Sequence, residues 1–271
     1  MKTDVISSLQ NPAVKSLVKL RKKRERDSSG LILIEGTREL CSALKSGIVI
    51  EDIFICPSLA ENEEREKLSA ELDRRDIRQT EVTPQVFEKL TYRGSSSYLV
   101  ATARKKRYDL DDLDPGNLPF YLVVDSVEKP GNLGAIFRSA DGAGTTGVLI
   151  SDPVTDLGNP NVIRASLGTV FSLPSAVSPA DDIIAWLKKN NIGIIATTPL
   201  GKLSYAEVDL TGPSAIIVGS EDKGLGEKWI NACDLEVMLP MLGTADSLNV
   251  SAAASIVLYE ALRQRTRGSL K

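Results

Sequence analysis

The residues best suited to chemistry fall in three stretches of the C-terminal half. Arg138 stands inside Leu133-Gly134-Ala135-Ile136-Phe137-Arg138-Ser139-Ala140, a run otherwise small and mostly apolar. A helix of that composition is expected to be buried, and a buried guanidinium needs an anionic partner or a cleft. Asn132, just after the turn Pro130-Gly131, is placed to cap this helix. The second stretch, Ile216 to Gly226, ends an apolar run in Gly219 and then carries Glu221. The C-terminal edge of a buried strand is where open α/β sheets bind ligands, and glycine lets backbone come close to one. The third runs from Leu239-Pro240-Met241 to Ser247-Leu248-Asn249, with Ser247 and Asn249 as cap residues before a small, apolar helix. Each stretch alone is explained by a capped helix, a glycine-rich loop or a buried helix. Side by side they would supply a guanidinium, a carboxylate, two amides and a hydroxyl around a strand edge.

The chain has 271 residues and no histidine. That absence excludes Ser-His-Asp and Cys-His catalysis and any His-bound metal. Cys41, Cys56 and Cys233 are far apart and fit no metal-ligand spacing, so they read as small buried hydrophobes in a reducing compartment. With 42% hydrophobic and 25% charged residues the composition is that of a globular protein. No apolar run nears the roughly 20 residues of a transmembrane helix, and Met1 to Gln10 has no signal-peptide core. The expectation is a cytoplasmic protein without membrane or metal. The net charge of −3 conceals an asymmetry: Met1 to Arg107 holds 21 basic and 16 acidic residues, and Tyr108 to Lys271 holds 12 and 20. A front half at +5 and a back half at −8 point to different partners.

The elements that must position these residues alternate throughout. Asn11-Pro12 starts a helix toward about Lys23. Leu31 to Ile34 suits a strand, Gly36 to Lys45 a helix, Ile48 to Ile55 a strand, Leu59 to Arg74 a polar helix and Ile77 to Val82 a strand. Thr83-Pro84 caps a helix to Leu90, and Tyr98 to Ala103 is a last strand. An exposed linker at 108–118 separates this domain, 1–107, from a second, 119–271. There, strands at Phe120 to Val124, Val148 to Ile150, Gly193 to Ala196, Ala215 to Val218 and Leu235 to Leu239 alternate with helices at Leu133 to Asp141, Asp181 to Asn190 and Asn249 to Arg265. The pattern predicts an α/β fold with a mostly parallel sheet. Gly142-Ala143-Gly144-Thr145-Thr146-Gly147 matches G-x-G-x-x-G, but a helix precedes it and a strand follows. It reads as a helix end and turn, which discounts NAD.

Taken together the three stretches resemble the signature motifs of the SpoU/TrmH RNA 2′-O-ribose methyltransferases of the SPOUT superfamily. The matches are N-x-G-A-x-x-R-[ST]-A at Asn132 to Ala140, G-x-E-x-x-G at Gly219 to Gly224, and P-M followed by S-L-N-V-S at Pro240 to Ser251. Asn159 to Gly168, with Arg164 and Ser166, resembles a further family loop. Leu31-Ile32-Leu33-Ile34-Glu35-Gly36 is similar to the L30e-like substrate-binding domain that many of these enzymes carry. The resemblance implies a C-terminal trefoil knot, a homodimer, and S-adenosylmethionine held near Thr197, Gly219, Leu239, Met241 and Leu248. It implies a site of Arg138, Asn132, Glu221, Ser247 and Asn249, with Glu221 pairing a cation and Arg138 clamping a phosphate or acting on the hydroxyl proton. Arginine stays protonated in ordinary settings, which favours the clamp.

RNA would be recruited by charge. Seven basic residues face one acidic between Lys15 and Arg26, including Lys15, Lys19, Arg21, Lys22, Lys23 and Arg24, and Arg104 to Arg107 adds four. The expected substrate is ribosomal RNA of 23S type, with guanosine as a candidate nucleoside. The alternatives are a transfer RNA 2′-O-methyltransferase and a non-catalytic RNA-binding or ribosome-assembly factor with the same fold.

Overall fold

The computed structural model describes residues 5–60, 68, 72, 75, 77–91, 97–107 and 109–266. The chain forms two compact units, one of Met1–Lys106 with Asp156–Ser172, the other of Arg107–Thr155 with Leu173–Lys271. The helix expected over 59–74 lies outside the described residues apart from isolated positions.

In the first unit, helix α1 (Pro12–Lys19) starts as expected: the Asn11 side chain accepts from the Ala13 amide and Pro12 occupies the first turn. It stops at Lys19, short of the Lys23 expected, and a separate helix α2 (Lys23–Ser29) follows. The side chain of buried Arg26 explains the break. Its Nη1 donates to the carbonyls of Leu20 (2.8 Å) and Arg21 (2.9 Å), taking up groups that a continuous helix would use itself. Gly30, at φ 68°, ends α2 in the left-handed conformation.

Strand β1 (Leu31–Glu35), helix α3 (Thr37–Lys45), strand β2 (Ile50–Ile55), strand β3 (Arg78–Glu81), helix α4 (Pro84–Leu90) and strand β4 (Leu99–Arg104) complete the first part. The sheet order is β1-β4-β2-β3, with β2 and β3 parallel and the other pairs antiparallel. Val14, Leu17, Leu33, Phe54, Phe87 and Val100 meet in its core.

In the second unit strand β5 (Phe120–Asp125) leads to helix α5 (Pro130–Gly142) and strand β6 (Gly147–Ser151). The chain then gives Asp156–Ser172 to the first unit, including helices α6 (Pro160–Ala165) and α7 (Thr169–Ser172). Sequence order places this stretch in the back half. Its packing explains the difference: Val162, Ile163, Val170 and Phe171 are buried. A Cβ on Gly158 would stand 2.6 Å from Ile32 Cγ2, and the Ser42 hydroxyl donates to the Gly168 carbonyl at 2.7 Å.

Strand β7 (Ser175–Ser178), helix α8 (Ala180–Lys189), strands β8 (Gly193–Thr197), β9 (Leu203–Ser204) and β10 (Ser214–Val218), helix α9 (Glu227–Ala232), strand β11 (Leu235–Met238) and helix α10 (Val250–Arg265) follow. The seven strands run in the order β7-β6-β5-β10-β8-β11-β9, and every pair is parallel. Tyr121, Val123, Leu149, Ile183, Leu187, Ile194, Ile217 and Trp229 are buried together in one core cluster. Helices α5 and α10 pack on each other, and α10 also packs on β10. Helix α10 is not buried all round. Val250, Ala254, Val257, Leu258 and Ala261 face inward, while Ile256 and Tyr259 are 37% and 50% exposed.

The end of α10 is fastened to the segment entering β10. Gln264 exchanges hydrogen bonds with Val208 and Leu210. Arg265 donates to Leu210 O (2.8 Å), Gly212 O and Ser214 Oγ (3.0 Å), and its guanidinium lies 4.4 Å from the Phe120 ring centroid. Arg265→Met keeps the aliphatic packing but leaves these partly buried acceptors unmet. It should cost about 2 kcal/mol in urea-unfolding stability, and an unchanged unfolding midpoint would show that the fastening contributes nothing.

Candidate active site

Helix α5 holds the first motif. Its N-cap is Lys129, without a side-chain cap bond, so Asn132 lies inside the first turn rather than capping it. The Asn132 amide is used elsewhere. Its Nδ2 donates to Glu221 Oε1, and its Oδ1 accepts from Asn249 Nδ2 at 3.2 Å. A carboxylate can only accept, so the Asn132 atom facing Glu221 must be the NH2 group, leaving the carbonyl for Asn249. Asn249 does cap α10, its Oδ1 accepting from Ser251 N (3.0 Å) and Ser251 Oγ (2.6 Å). One residue from each motif stretch thus joins a single hydrogen-bonded chain. Glu221 was expected to pair a cation; it takes the Asn132 amide instead, and none of the ion pairs among the described residues includes it.

Arg138 is exposed, contrary to the burial expected from its neighbours. The helix buries Leu133, Gly134, Ile136, Phe137 and Ala140, and Arg138 falls with Gly131, Asp141 and Gly142 on the remaining surface. None of the ion pairs among the described residues reaches it. Ser247 is exposed as well, and its side chain enters none of the hydrogen bonds of the chain just described.

Close approach of α5 and α10 depends on small residues that composition alone did not single out. Ser139 Oγ and Ser255 Oγ lie 2.7 Å apart, Ser255 donates to the Ser251 carbonyl at 2.7 Å, and a Cβ on Gly142 would stand 2.8 Å from the Tyr259 hydroxyl. The signal available was the [ST] slot of the first motif, occupied by Ser139.

The loop after β10 folds back on itself. Ser220 and Gly224 exchange backbone hydrogen bonds at 3.1 Å, and Gly224 has φ 64°. A Cβ on Gly219 would lie 2.3 Å from the Gly224 carbonyl carbon. Glycine at 219 is therefore required by the loop's own packing, whatever else approaches it.

Strands β10, β8 and β11 are neighbours in the sheet. Gly219, Thr197 and Leu239 stand at or just past their C-terminal ends, and Met241 follows. All four are half-buried, and Leu248 is exposed. The Thr197 hydroxyl is buried without a hydrogen-bond partner, a costly condition for a polar group unless a ligand completes it. Next to it the turn at Gly201 lies so close to β11 that a Cβ would stand 2.5 Å from the Val237 carbonyl carbon.

In the first unit Lys15, Lys19, Lys22, Lys23, Arg24 and Arg164 are exposed. Arg21 is half-buried and its Nη2 donates to the carbonyls of Lys89 (3.0 Å) and Thr91 (2.5 Å), so part of it serves the fold. Arg26, counted in the basic run, is 1% exposed and ion-paired to Asp156. Arg104 and Lys105 pair with Glu51 and Asp27.

Residues 119–259 match the SpoU rRNA Methylase family, and residues 11–101 match the MRM3-like substrate binding domain. The chain is 30% identical to a 23S rRNA (uridine(2479)-2′-O)-methyltransferase of Streptomyces viridochromogenes, over 92% of this chain and 88% of that one. It is also 30% identical to a 23S rRNA (guanosine(2553)-2′-O)-methyltransferase of Bacillus subtilis, over 94% and 97%. The crystal structure of an AdoMet-bound rRNA methyltransferase from Sinorhizobium meliloti superposes with a TM-score of 0.87 at 29% identity, covering 98% of both chains. With its three motif stretches joined through Asn132 and its catalytic half matched along nearly all its length, the chain belongs to the SpoU rRNA methylase family.

Proposed function

We propose that this protein transfers a methyl group from S-adenosylmethionine to a ribose 2′-hydroxyl of 23S-type ribosomal RNA. The observation that carries this reading is the hydrogen-bonded chain Glu221–Asn132–Asn249, which assembles three separate motif stretches beside the helix of Arg138. The two named relatives act on uridine and on guanosine in the same kind of RNA. The shared acceptor is the 2′-hydroxyl, and guanosine is the nucleoside to test first.

The residues present fit the methyl donor. Thr197 offers an unpartnered buried hydroxyl, Gly219 brings backbone to a strand edge, and Leu239, Met241 and Leu248 offer apolar surface. An adenine and a thioether need that combination of apolar walls and a few polar groups. When bound, S-adenosylmethionine supplies an electrophilic methyl group. Asn132, held from both sides, and Asn249 orient the ribose. Arg138, exposed and outside every ion pair among the described residues, clamps the neighbouring phosphate and stabilises negative charge developing on the ribose oxygen as the hydroxyl proton passes to water. Glu221 fixes the Asn132 amide, and exposed Ser247 contacts the donor or the phosphate.

Residues 1–107 form the RNA-recruiting part and 119–271 the catalytic part, with the 156–172 stretch lent to the first; of the 108–118 stretch expected as an exposed linker, Leu110 and Leu113 pack on the core of the second unit. Exposed Lys15, Lys19, Lys22, Lys23, Arg24 and Arg164 contact phosphates, a mode suited to recognition by shape. The reading includes a trefoil knot in the C-terminal part, a cytoplasmic location and a homodimer. The apolar residues Ile256 and Tyr259 exposed on α10 support the last.

Incubation of unmodified ribosomal RNA with labelled S-adenosylmethionine should yield a labelled 2′-O-methylnucleoside. Donor binding without label in any ribosomal RNA would overturn the substrate, and no donor binding would overturn the reaction. Arg138→Ala should lower the transfer rate by about 100- to 1,000-fold while donor affinity holds; a matching loss of donor affinity would remove Arg138 from its assigned role. Asn132→Asp places a second carboxyl against Glu221, and mutual repulsion raises the pKa of one of them. Activity of this variant should be poor at neutral pH and recover as pH falls and a shared proton restores the bond. A pH–rate profile parallel to that of the parent would refute the orienting role.

A further inference from the structure

Arg26 and Asp156 stand 130 residues apart in sequence and form a buried ion pair inside the first unit, with side-chain exposures of 1% and 11%. The guanidinium is used on every side. Nε donates to Asp156 Oδ1 at 3.1 Å, Nη2 to Asp156 Oδ2, and Nη1 to the carbonyls of Leu20 and Arg21. A two-pronged guanidinium–carboxylate contact sets relative position as well as attraction.

What it positions follows from the chain. Leu20 and Arg21 lead directly into Lys22, Lys23 and Arg24, all exposed. Asp156 leads into α6, which carries exposed Arg164. Between them little is free to move. The Asn159 amide donates to the Asp156 carbonyl at 3.1 Å, the Asn159 side chain caps α6 through Asn161 N at 2.9 Å, and Val162 and Ile163 are buried. A Cβ on Gly158 would meet both Ile32 and Asp156 Oδ1, at 2.6 and 3.1 Å. Such a pair is a poor source of stability, because desolvating both ions offsets their attraction.

We propose that the Arg26–Asp156 pair is a positioning clamp: it fixes the basic turn 22–24 and Arg164 relative to one another so that both meet phosphates of one RNA. This rests on the reading of Arg164 and the turn as RNA contacts. Arg26, although it belongs to the basic run, touches no RNA and acts only through these neighbours.

The test is filter binding of the full chain to unmodified 23S ribosomal RNA over a salt series, with Asp156→Asn, Arg164→Ala and the double variant. Asp156→Asn removes a negative charge, and charge alone would tighten RNA binding. The clamp predicts the opposite: affinity falls about fivefold, and the slope of log affinity against log salt drops by about one, the loss of one phosphate contact. Far-ultraviolet circular dichroism and S-adenosylmethionine affinity should be unchanged. In the Arg164→Ala background, Asp156→Asn should weaken binding by much less than it does alone. Should Asp156→Asn not fold, Arg26→Met with Asp156→Leu, which fills the same space without the two-pronged contact, takes its place with the same expected loss. Equal or tighter RNA binding by the folded clamp variant, with Arg164→Ala weakened, overturns the clamp and leaves Arg164 an RNA contact. Unchanged binding by Arg164→Ala overturns the RNA contact itself, and the clamp with it.

Discussion

The Asn132 side chain carries the tightest constraint in the catalytic half. Its amide has one face that gives protons and one that takes them, and both are committed: NH2 to Glu221, carbonyl to Asn249. Neither partner can be exchanged for the other, since a carboxylate cannot donate. Asn249 is held in turn because its own oxygen caps α10. Three segments from different parts of the sequence must therefore arrive within hydrogen-bond tolerance of one another. Much of the local design serves that arrival. Gly219 lets the loop bearing Glu221 fold onto Gly224, and Ser139, Ser255 and Gly142 let α5 and α10 approach closely enough for their first turns to meet. A bond to a charged acceptor contributes about 1.5–3 kcal/mol and a neutral one about 1. Beyond stability, the two bonds fix the orientation of the Asn132 amide.

Backbone conformation supports the same edge. Ser126 and Asp152 follow the adjacent parallel strands β5 and β6 and hold φ of 54° and 45° without being glycine. Such residues persist only where their surroundings impose them. The Ser126 amide donates to the Ser151 carbonyl at 3.0 Å, and buried Ser151 donates its hydroxyl to buried Asp125. The two strand ends are thus tied before the chain turns toward Asn132.

The parallel strands β5, β6, β8, β10 and β11 were legible because each is a run of β-branched and apolar residues bounded by turn signals, as fully buried strands must be. Asn249 was legible as a cap for a local reason: an amide three bonds from the backbone can reach only the next turn's amides. Asn132 looks like a cap on the same grounds, but its partners, Glu221 and Asn249, are 89 and 117 residues away. Arg138 misled in another way. Composition predicts the burial of a helix on average, whereas a 100° step per residue leaves one stripe of even an apolar helix facing out. The short strand β7 and helices α6 and α7 carry too few residues to show a period. That the 156–172 stretch packs in the first unit depends on Arg26, Ser42 and Ile32, which nothing near them in sequence announces.

Charge divides the work between the two halves of the sequence. The 156–172 stretch contains one acidic residue, Asp156, and one basic, Arg164, so its packing in the first unit leaves the asymmetry between a basic front and an acidic back intact. A polyanion is therefore drawn to the first unit and repelled, at long range, by the net charge of the second. That repulsion is useful to an enzyme that must act on one ribose. RNA that is not held by the front half meets a unit of net negative charge, in which Arg138 is an exposed guanidinium. In the proposed clamp, attraction between Arg138 and a phosphate of held RNA acts over a few ångströms, where it outweighs a field screened beyond about 10 Å. In the proposed clamp role the same arginine is indifferent to free RNA and decisive for bound RNA. The exposure of Arg138, which composition argued against, suits the proposed clamp.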